Sequence, residues 1–128
     1  MTAGLLIDTD VLIDYLRGEK SAVDYLERVE EPLFVSSITV GELYSGVREG
    51  RERIVLADFM RGFQVIPVDA QIAVKGGLFC RDYRKAHGVG LADSLIAATA
   101  AIRGLSLVTL NQKHFPMLSK MGIPYRKT

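Results

Sequence analysis

Four short apolar runs are spaced along the chain, and each is bounded by polar residues or turn formers. They lie at 5–7, 33–35, 65–66 and 107–108, with a weaker candidate at 123–125. Each run is too short for a helix and shows no polar alternation, which is typical of a strand buried on both faces of a sheet. The pattern therefore predicts four to five strands.

Between these runs, apolar residues recur at helical spacing. The predicted helices cover 11–16, 21–29, 38–47, 51–61, 69–86 and 91–102. Helices that alternate with fully buried strands indicate an α/β fold, a three-layer α/β/α sandwich with a central, mostly parallel sheet. A length of 128 residues fits one domain of this kind, and we expect residues 1–128 to form it.

Composition excludes several other classes of protein. Hydrophobic residues make up 48% of the chain and charged residues 24%, so a folded core is expected rather than disorder. No stretch reaches the roughly 18 uncharged apolar residues of a membrane span, and the first residues lack a basic leader. The single cysteine, Cys80, is expected to be a small buried thiol. We therefore expect a cytoplasmic protein without a membrane partner.

Charge is unevenly distributed along the chain. Residues 1–31 contain eight acids and three bases, whereas five bases and no acid follow Asp93. This asymmetry is compatible with a polyanionic partner, with a charge-paired dimer, or with a solvated basic face.

Polar side chains stand where the predicted strands end. Asp8 and Asp10 follow the first strand, Glu42 lies in the helix after the second, Asp93 begins a later helix, and Asn111 follows the fourth strand. In a parallel sheet these ends meet at one edge, where ligands bind. Clustered carboxylates repel one another unless a cation lies among them, and Mg²⁺ or Mn²⁺ prefers such oxygen ligands.

Helix capping explains the same acids without any ligand. Asp8 or Asp10 could cap the first helix, and Thr39 with Glu42 matches a capping box in which Thr39 is the N-cap. Asp93 would sit in a first turn, where the helix dipole stabilises a carboxylate. The residues by themselves leave both interpretations open.

Four segments carry these side chains: LIDTDVL at 6–12, SITVGEL at 37–43, LADSLIAA at 91–98 and TLNQKHF at 109–115. In order and spacing, and over essentially the whole chain, the set resembles the motifs of PIN-domain ribonucleases, in particular the VapC toxins of VapBC toxin–antitoxin pairs. The resemblance implies that Asp8, Glu42 and Asp93 form a catalytic centre that binds Mg²⁺, with Mn²⁺ possible. The supporting residues it implies are Thr9, Thr109 and Asn111.

The same resemblance implies a function and partners. The expected protein is a type II toxin and an endoribonuclease that uses a metal-activated water and leaves 5′-phosphate and 3′-hydroxyl ends. Its expected partners are the RNA substrate, a VapB-like antitoxin and a second copy of the chain. Candidate contacts to the RNA backbone are Arg48, Arg51, Arg81, Arg84, Lys85 and Lys113. Leu12, Tyr15 and Leu16 would line an antitoxin groove or, as their spacing equally indicates, face the core.

One position departs from the family pattern. His114 stands where these ribonucleases commonly carry a fourth acid, so the number of bound ions and their affinity are open. We expect His114 to lie on the surface and to pack on Phe115.

Three other functions are compatible with parts of the sequence. The first is a PIN-fold scaffold that binds RNA or a partner with little turnover. The second is a phosphoacceptor receiver domain in which Asp69 accepts the phosphate. The third is a haloacid-dehalogenase-type phosphatase built on Asp8 and Asp10, which is disfavoured because Leu12 replaces the threonine or valine of that motif.

Overall fold

A five-stranded parallel sheet forms the centre of the protein, with the strands in the order β3-β2-β1-β4-β5. The computed structural model describes residues 4–122 and 124–125. The strands are β1 Leu5–Ile7, β2 Leu33–Ser36, β3 Gln64–Ile66, β4 Ser106–Val108 and β5 Met121–Gly122. The predicted α/β class and parallel sheet are confirmed.

Helices cover both faces of this sheet. They are α1 Thr9–Leu16, α2 Lys20–Arg28, α3 Ser37–Ser45, α4 Arg51–Met60, α5 Ala70–His87 and α6 Leu91–Arg103, and a short 3₁₀ turn spans Gln112–His114. Each predicted helix exists, and its ends differ by no more than two residues from the expected ones.

The alternation of β1 explains the three layers. Leu5 and Ile7 pack into one apolar cluster with side chains of α1 to α4, whereas Leu6 joins a second cluster with residues of α5 and α6. Successive side chains of a strand point to opposite faces, so a three-residue strand contributes to two cores. The alanines 97, 98 and 100 of α6 lie in the second cluster.

The candidate site lies where the strand order reverses. β1 pairs with β2 on one side and with β4 on the other, because the connection through α5 and α6 returns the chain across the sheet. Ligands of parallel sheets bind in the crevice at such a point, outside the carboxyl ends of the strands. Asp8 directly follows β1 and Thr109 directly follows β4, so the fold brings both into this crevice.

The cap of α3 differs from its prediction. Ser36, the last residue of β2, is the N-cap, and its hydroxyl accepts a hydrogen bond of 3.0 Å from the Ile38 N–H. The prediction that Thr39 caps this helix is wrong, because strand and helix follow one another without a loop. Thr39 lies inside the helix and is fully buried.

The last strand also lies earlier than the apolar run at 123–125 indicates. Met121 and Gly122 pair with Leu107 and Val108 of β4. Residue 123 lies outside the described residues, and Pro124 and Tyr125 are not in a strand. Proline has no N–H to donate to a sheet ladder, which explains why pairing does not continue through position 124.

Two smaller expectations concern Cys80 and membranes. Cys80 is buried on α5, as predicted, and its Sγ lies 3.8 Å from the Val89 carbonyl oxygen. Within residues 4–122 and 124–125, no helix is both long and apolar enough to cross a bilayer.

Helices α5 and α6 pack closely because a glycine stands at their contact. A Cβ built on Gly76 would lie 2.5 Å from Leu95 Cδ2 and 3.1 Å from Leu95 Cα, whereas one built on the neighbouring Gly77 would meet nothing within 4 Å. The approach of the two helices therefore depends on the missing side chain at Gly76.

We predict that Gly76→Ala destabilises the protein by a net ~1 kcal/mol, since the overpacking cost exceeds the gain in helix propensity. Gly77→Ala is the matched control and should stabilise the fold by about 0.5–1 kcal/mol, because the same propensity is gained without a clash. Urea unfolding of both variants measures the difference. Equal stabilisation of the two would show that the helices separate without cost.

Candidate active site

Asp8 is the buried centre of the site. This residue is 6% exposed and is the N-cap of α1, directly after the end of β1. The Thr9 N–H donates to Oδ1 at 2.8 Å, and the Thr109 hydroxyl donates to Oδ2 at 2.8 Å. The expectation that Asp8 or Asp10 caps this helix is met by Asp8, which also faces β4 across the crevice.

Asp10 joins α1 to the segment that follows β4. Its Oδ2 accepts hydrogen bonds of 3.1 Å from the Leu110 N–H and 3.1 Å from the Asn111 side-chain amide. The predicted supporting residue Asn111 is thus held by a carboxylate, with its N–H also bonded to the Thr109 hydroxyl at 3.1 Å. Among the described residues, Asp10 Oδ1 is buried without a hydrogen-bond partner.

The sequence places Asp10 beside Asp8 at the end of the first strand, but the resemblance to the PIN family assigns a role to Asp8 and none to Asp10. The first helical turn at the end of β1 directs both side chains towards the segment after β4, as their shared neighbour Thr109 shows. An acid at this spacing after a parallel strand is therefore a signal for a position in the site.

Glu42 reaches the site from α3 at its solvent-exposed rim. The Thr9 hydroxyl donates to Glu42 Oε1 at 2.7 Å and lies 3.0 Å from the Thr39 hydroxyl. Thr9, predicted as a supporting residue, thus orients the carboxylate of another helix. Glu42 does not close a capping box, because the helix is capped by Ser36.

Asp93 lies half-buried in the first turn of α6, as predicted. The His114 Nδ1 is 3.7 Å from Asp93 Oδ2. His114 lies on the surface, as predicted, and beside this carboxylate. The neighbouring Phe115 is 1% exposed and belongs to the second core cluster.

The acids influence one another's protonation. The pKa of Asp8 is raised from 3.8 to about 7, first by burial and then by the negative charge of Asp10, while the bond from Thr109 opposes the shift. Burial also raises the pKa of Asp93, which the charge of Glu42 raises further and His114 lowers. Burial raises the pKa of Asp10 as well. The structure therefore brings the three predicted acids and Asp10 into one electrostatic cluster.

The donor set of this cluster suits a divalent cation chemically. It offers carboxylate oxygens, and among the described residues Asp10 Oδ1 is the one that is buried without a hydrogen-bond partner. A positive charge would relieve the mutual repulsion of these carboxylates. In the part of the chain that the structure describes, no three His, Cys, Asp or Glu side chains are grouped so as to hold an ion. Binding would therefore require side chains, such as that of the exposed Glu42, to move towards the ion.

Asp69 follows a different strand from the acids of this cluster and has a different hydrogen-bond partner. It follows β3, which β2 separates from β1, and its Oδ1 accepts a hydrogen bond of 2.9 Å from the Ile72 N–H as the N-cap of α5. Asp69 therefore acts as the helix cap that its position predicts, which removes the basis for a receiver domain.

A groove of about 510 Å³ opens beside Glu42, between α1, α3 and α4. Its apolar lining includes Leu16, Leu43 and Val55. The spacing of Leu12, Tyr15 and Leu16 is compatible with either the groove or the core. Leu16 lines the groove, and Leu12 is fully buried. The third, Tyr15, stacks on Phe59 with the ring centroids 4.9 Å apart.

Comparisons with known proteins agree with this architecture. The family model described as PIN domain matches residues 5–120. The chain is 41% identical to Ribonuclease VapC10 and 39% identical to Ribonuclease VapC19, both of Mycobacterium tuberculosis, over 94% of its own length and 92% and 98% of theirs. A solved toxin-antitoxin complex from Klebsiella pneumoniae superimposes with a TM-score of 0.83 at 27% identity and covers 96% of this chain and 99% of that chain.

We predict that Asp8→Asn stabilises the metal-free protein at high pH. Because the pKa of this acid is higher in the folded state, stability is lost as pH rises from about 4 to about 7. Removing the charge should restore about 2–3 kcal/mol at pH 8 and less at pH 5. Thermal unfolding in chelator measures the effect.

Asp58→Asn is the matched control for this experiment, because the Asp58 side chain is 81% exposed on α4. We expect its stability to follow the wild type at every pH. A gain for Asp8→Asn that does not depend on pH would contradict the assigned cause.

Proposed function

This chain belongs to the PIN domain family, and from that premise we propose that it is a metal-dependent endoribonuclease and the toxin of a toxin–antitoxin pair. The observation that carries the proposal is the acidic cluster of Asp8, Glu42 and Asp93 at the switch point of the sheet. The names of the relatives support RNA as the substrate, and the cytoplasm is the compartment in which we expect it to act.

Asp8, Glu42 and Asp93 would hold Mg²⁺, with Mn²⁺ as the alternative. A bound divalent ion supplies positive charge that polarises a phosphoryl oxygen and makes water a nucleophile near neutral pH. Glu42 is placed to accept the proton of the attacking water, because its carboxylate is oriented by Thr9 at the exposed rim. Thr109 and Asn111 support the site by fixing Asp8 and Asp10.

Water as the nucleophile determines the products. Attack on the phosphorus with departure of the 3′ oxygen leaves a 5′-phosphate and a 3′-hydroxyl, and the ribose 2′-hydroxyl takes no part. Products of this kind distinguish the mechanism from one in which the 2′-hydroxyl attacks.

A scaffold without turnover is the second candidate function. It is favoured by one observation, that no three metal-binding side chains are grouped for an ion among the described residues. His114 adds to this, because a carboxylate at its position would strengthen cation binding. The cleavage assay below separates the two functions.

The groove beside Glu42 is the proposed site for the antitoxin. The similar Klebsiella structure is a toxin-antitoxin complex. In this chain, helices α1, α3 and α4 line the groove with apolar side chains. An amphipathic helix that lays its apolar face in such a groove is a common mode of recognition. Because Glu42 also lines the groove, its occupant would lie against the acidic cluster.

We also propose a homodimer, as the resemblance to VapC toxins implies. A second apolar depression, of about 530 Å³, lies between α5 and α6, where Val74 and Leu78 are 64% and 42% exposed. Burial of these side chains against a second copy would remove apolar surface from water, which makes this face the candidate for the dimer contact.

We predict that the wild type cleaves a labelled mixed RNA pool with Mg²⁺ or Mn²⁺ and not with chelator, leaving 5′-phosphate ends. Asp93→Asn should lower the rate by about 100-fold or more, because several kcal/mol of charge stabilisation is lost. Asp58→Asn should cleave as the wild type does. If wild type and Asp93→Asn are equally silent while the folded protein binds RNA, the scaffold function is correct.

The antitoxin site is tested by a charge placed in the groove. Val55 and Val65 are each 47% exposed, but only Val55 lines the groove. With the product of the neighbouring reading frame co-expressed, Val55→Asp should lose co-purification because a carboxylate would be buried in the contact, and Val65→Asp should retain it. Equal retention by both variants would place the antitoxin elsewhere.

A further inference from the structure

The last two turns of α5 extend past the beginning of α6. The two helices are antiparallel neighbours joined by residues 88–90, and Gly76 lies against Leu95. Counting outward from that contact puts Cys80 opposite Leu91, the first residue of α6, in agreement with the contact between Cys80 and Val89. Residues 81–87 therefore project about 10 Å beyond α6, at 1.5 Å per residue. We call this projecting segment the α5 arm.

The α5 arm stands at the same edge of the fold as the acidic cluster. It projects beyond the first turn of α6, and that turn carries Asp93. Only the three residues 88–90 separate the two helices along the chain, with Gly88 in the left-handed conformation that reverses its direction. A linear ligand that passes the carboxylate of Asp93 therefore has the arm within reach.

The α5 arm carries a net positive charge, with Arg81, Arg84 and Lys85 against Asp82. Arg84 and Lys85 are exposed and form no ion pair among the described residues, whereas Arg81 is paired with Asp82 at 2.8 Å. Arg48, another candidate for RNA contact, is similarly paired, with Glu52 at 3.7 Å. Two free cations that extend past the helical turn carrying Asp93 suit a ligand whose own negative charges lie along a chain.

A row of aromatic rings begins just before the α5 arm and runs along it to its tip. Phe79, Tyr83 and His87 are spaced four residues apart, with ring centroids separated by 6.4 Å and 5.9 Å. Tyr83 is half-buried, whereas His87 is exposed at the end of the helix. Cations that follow a backbone, combined with rings on which bases stack, are the groups by which proteins bind single-stranded nucleic acid.

We propose that the α5 arm is a binding site for single-stranded RNA, in which Arg84 and Lys85 contact phosphates and the exposed ring of His87, supported by Tyr83, stacks on a base. The proposal rests on the proposed ribonuclease function and extends it, because it names the surface that holds the strand next to the acids. Cations in the last turn of a helix also interact favourably with its dipole, so the test must separate RNA binding from helix stability.

The test is fluorescence anisotropy of a short labelled single-stranded RNA with the full chain, in chelator so that no cleavage occurs. The double variant Arg84→Gln/Lys85→Gln should bind about tenfold more weakly at low salt, and the slope of log affinity against log salt should fall by about 1.4, for two phosphate contacts on a single strand. The charge-matched control Arg28→Gln/Arg103→Gln removes two exposed cations from the last turns of α2 and α6 and should change the affinity less than about twofold.

The stacking contact is tested separately. His87→Leu should weaken RNA binding about fivefold or more, whereas His87→Tyr should retain it, since a ring is kept. Thermal unfolding of every variant shows whether the substitution lowers the stability of the protein through the end of α5.

Three results would overturn the proposal. The first is that the wild type shows no measurable RNA binding, and the second is that the two double variants bind RNA with equal affinity. The third is that the arm variants lose only thermal stability or antitoxin binding and keep their affinity for RNA. None of these bears on cleavage, because metal-dependent cutting by the wild type is measured independently and can stand while the arm fails.

Discussion

Mutual repulsion of carboxylates is the constraint on which this site depends. The parallel pairing of β1 with β4 places the end of one strand beside the end of the other, so Asp8 is buried, and burial together with the negative charge of Asp10 raises its pKa to about 7. Hydrogen bonds from Thr109 and from the Thr9 N–H hold its carboxylate in place. The fold therefore maintains a concentration of negative charge that a divalent cation would relieve, and this is the physical basis for the proposed phosphodiester chemistry.

Two surfaces lie next to the acidic cluster, and they differ in chemical character. The groove between α1, α3 and α4 is largely apolar and includes Glu42 in its lining, which suits a helical protein partner. The α5 arm is cationic and aromatic, which suits a nucleic acid strand. Because Glu42 belongs to both the groove and the acidic cluster, a partner in the groove would influence the acids without competing for the arm.

Much of the fold and of the site was predictable from short-range patterns. The apolar runs at 5–7 and 107–108 predict β1 and β4, and the resemblance of the four motifs to PIN-domain ribonucleases selects Asp8, Glu42 and Asp93 as candidates. The N-cap of α3 was not predictable in this way, because Ser36 belongs to the strand and caps the helix at once. The surroundings of His114 and Asp10 depend on tertiary contacts, which short-range patterns do not show: the histidine lies beside Asp93 of α6, and the backbone after β4 donates to Asp10.

Direct binding of Mn²⁺, followed by electron paramagnetic resonance, tests the central claim that the acidic cluster is a cation site. The account predicts saturable binding by the wild type and by Asp58→Asn, and loss of binding in Asp8→Asn and Asp93→Asn. If the wild type binds no Mn²⁺, or if the four proteins bind it equally, the carboxylates do not form a metal centre and the account is contradicted.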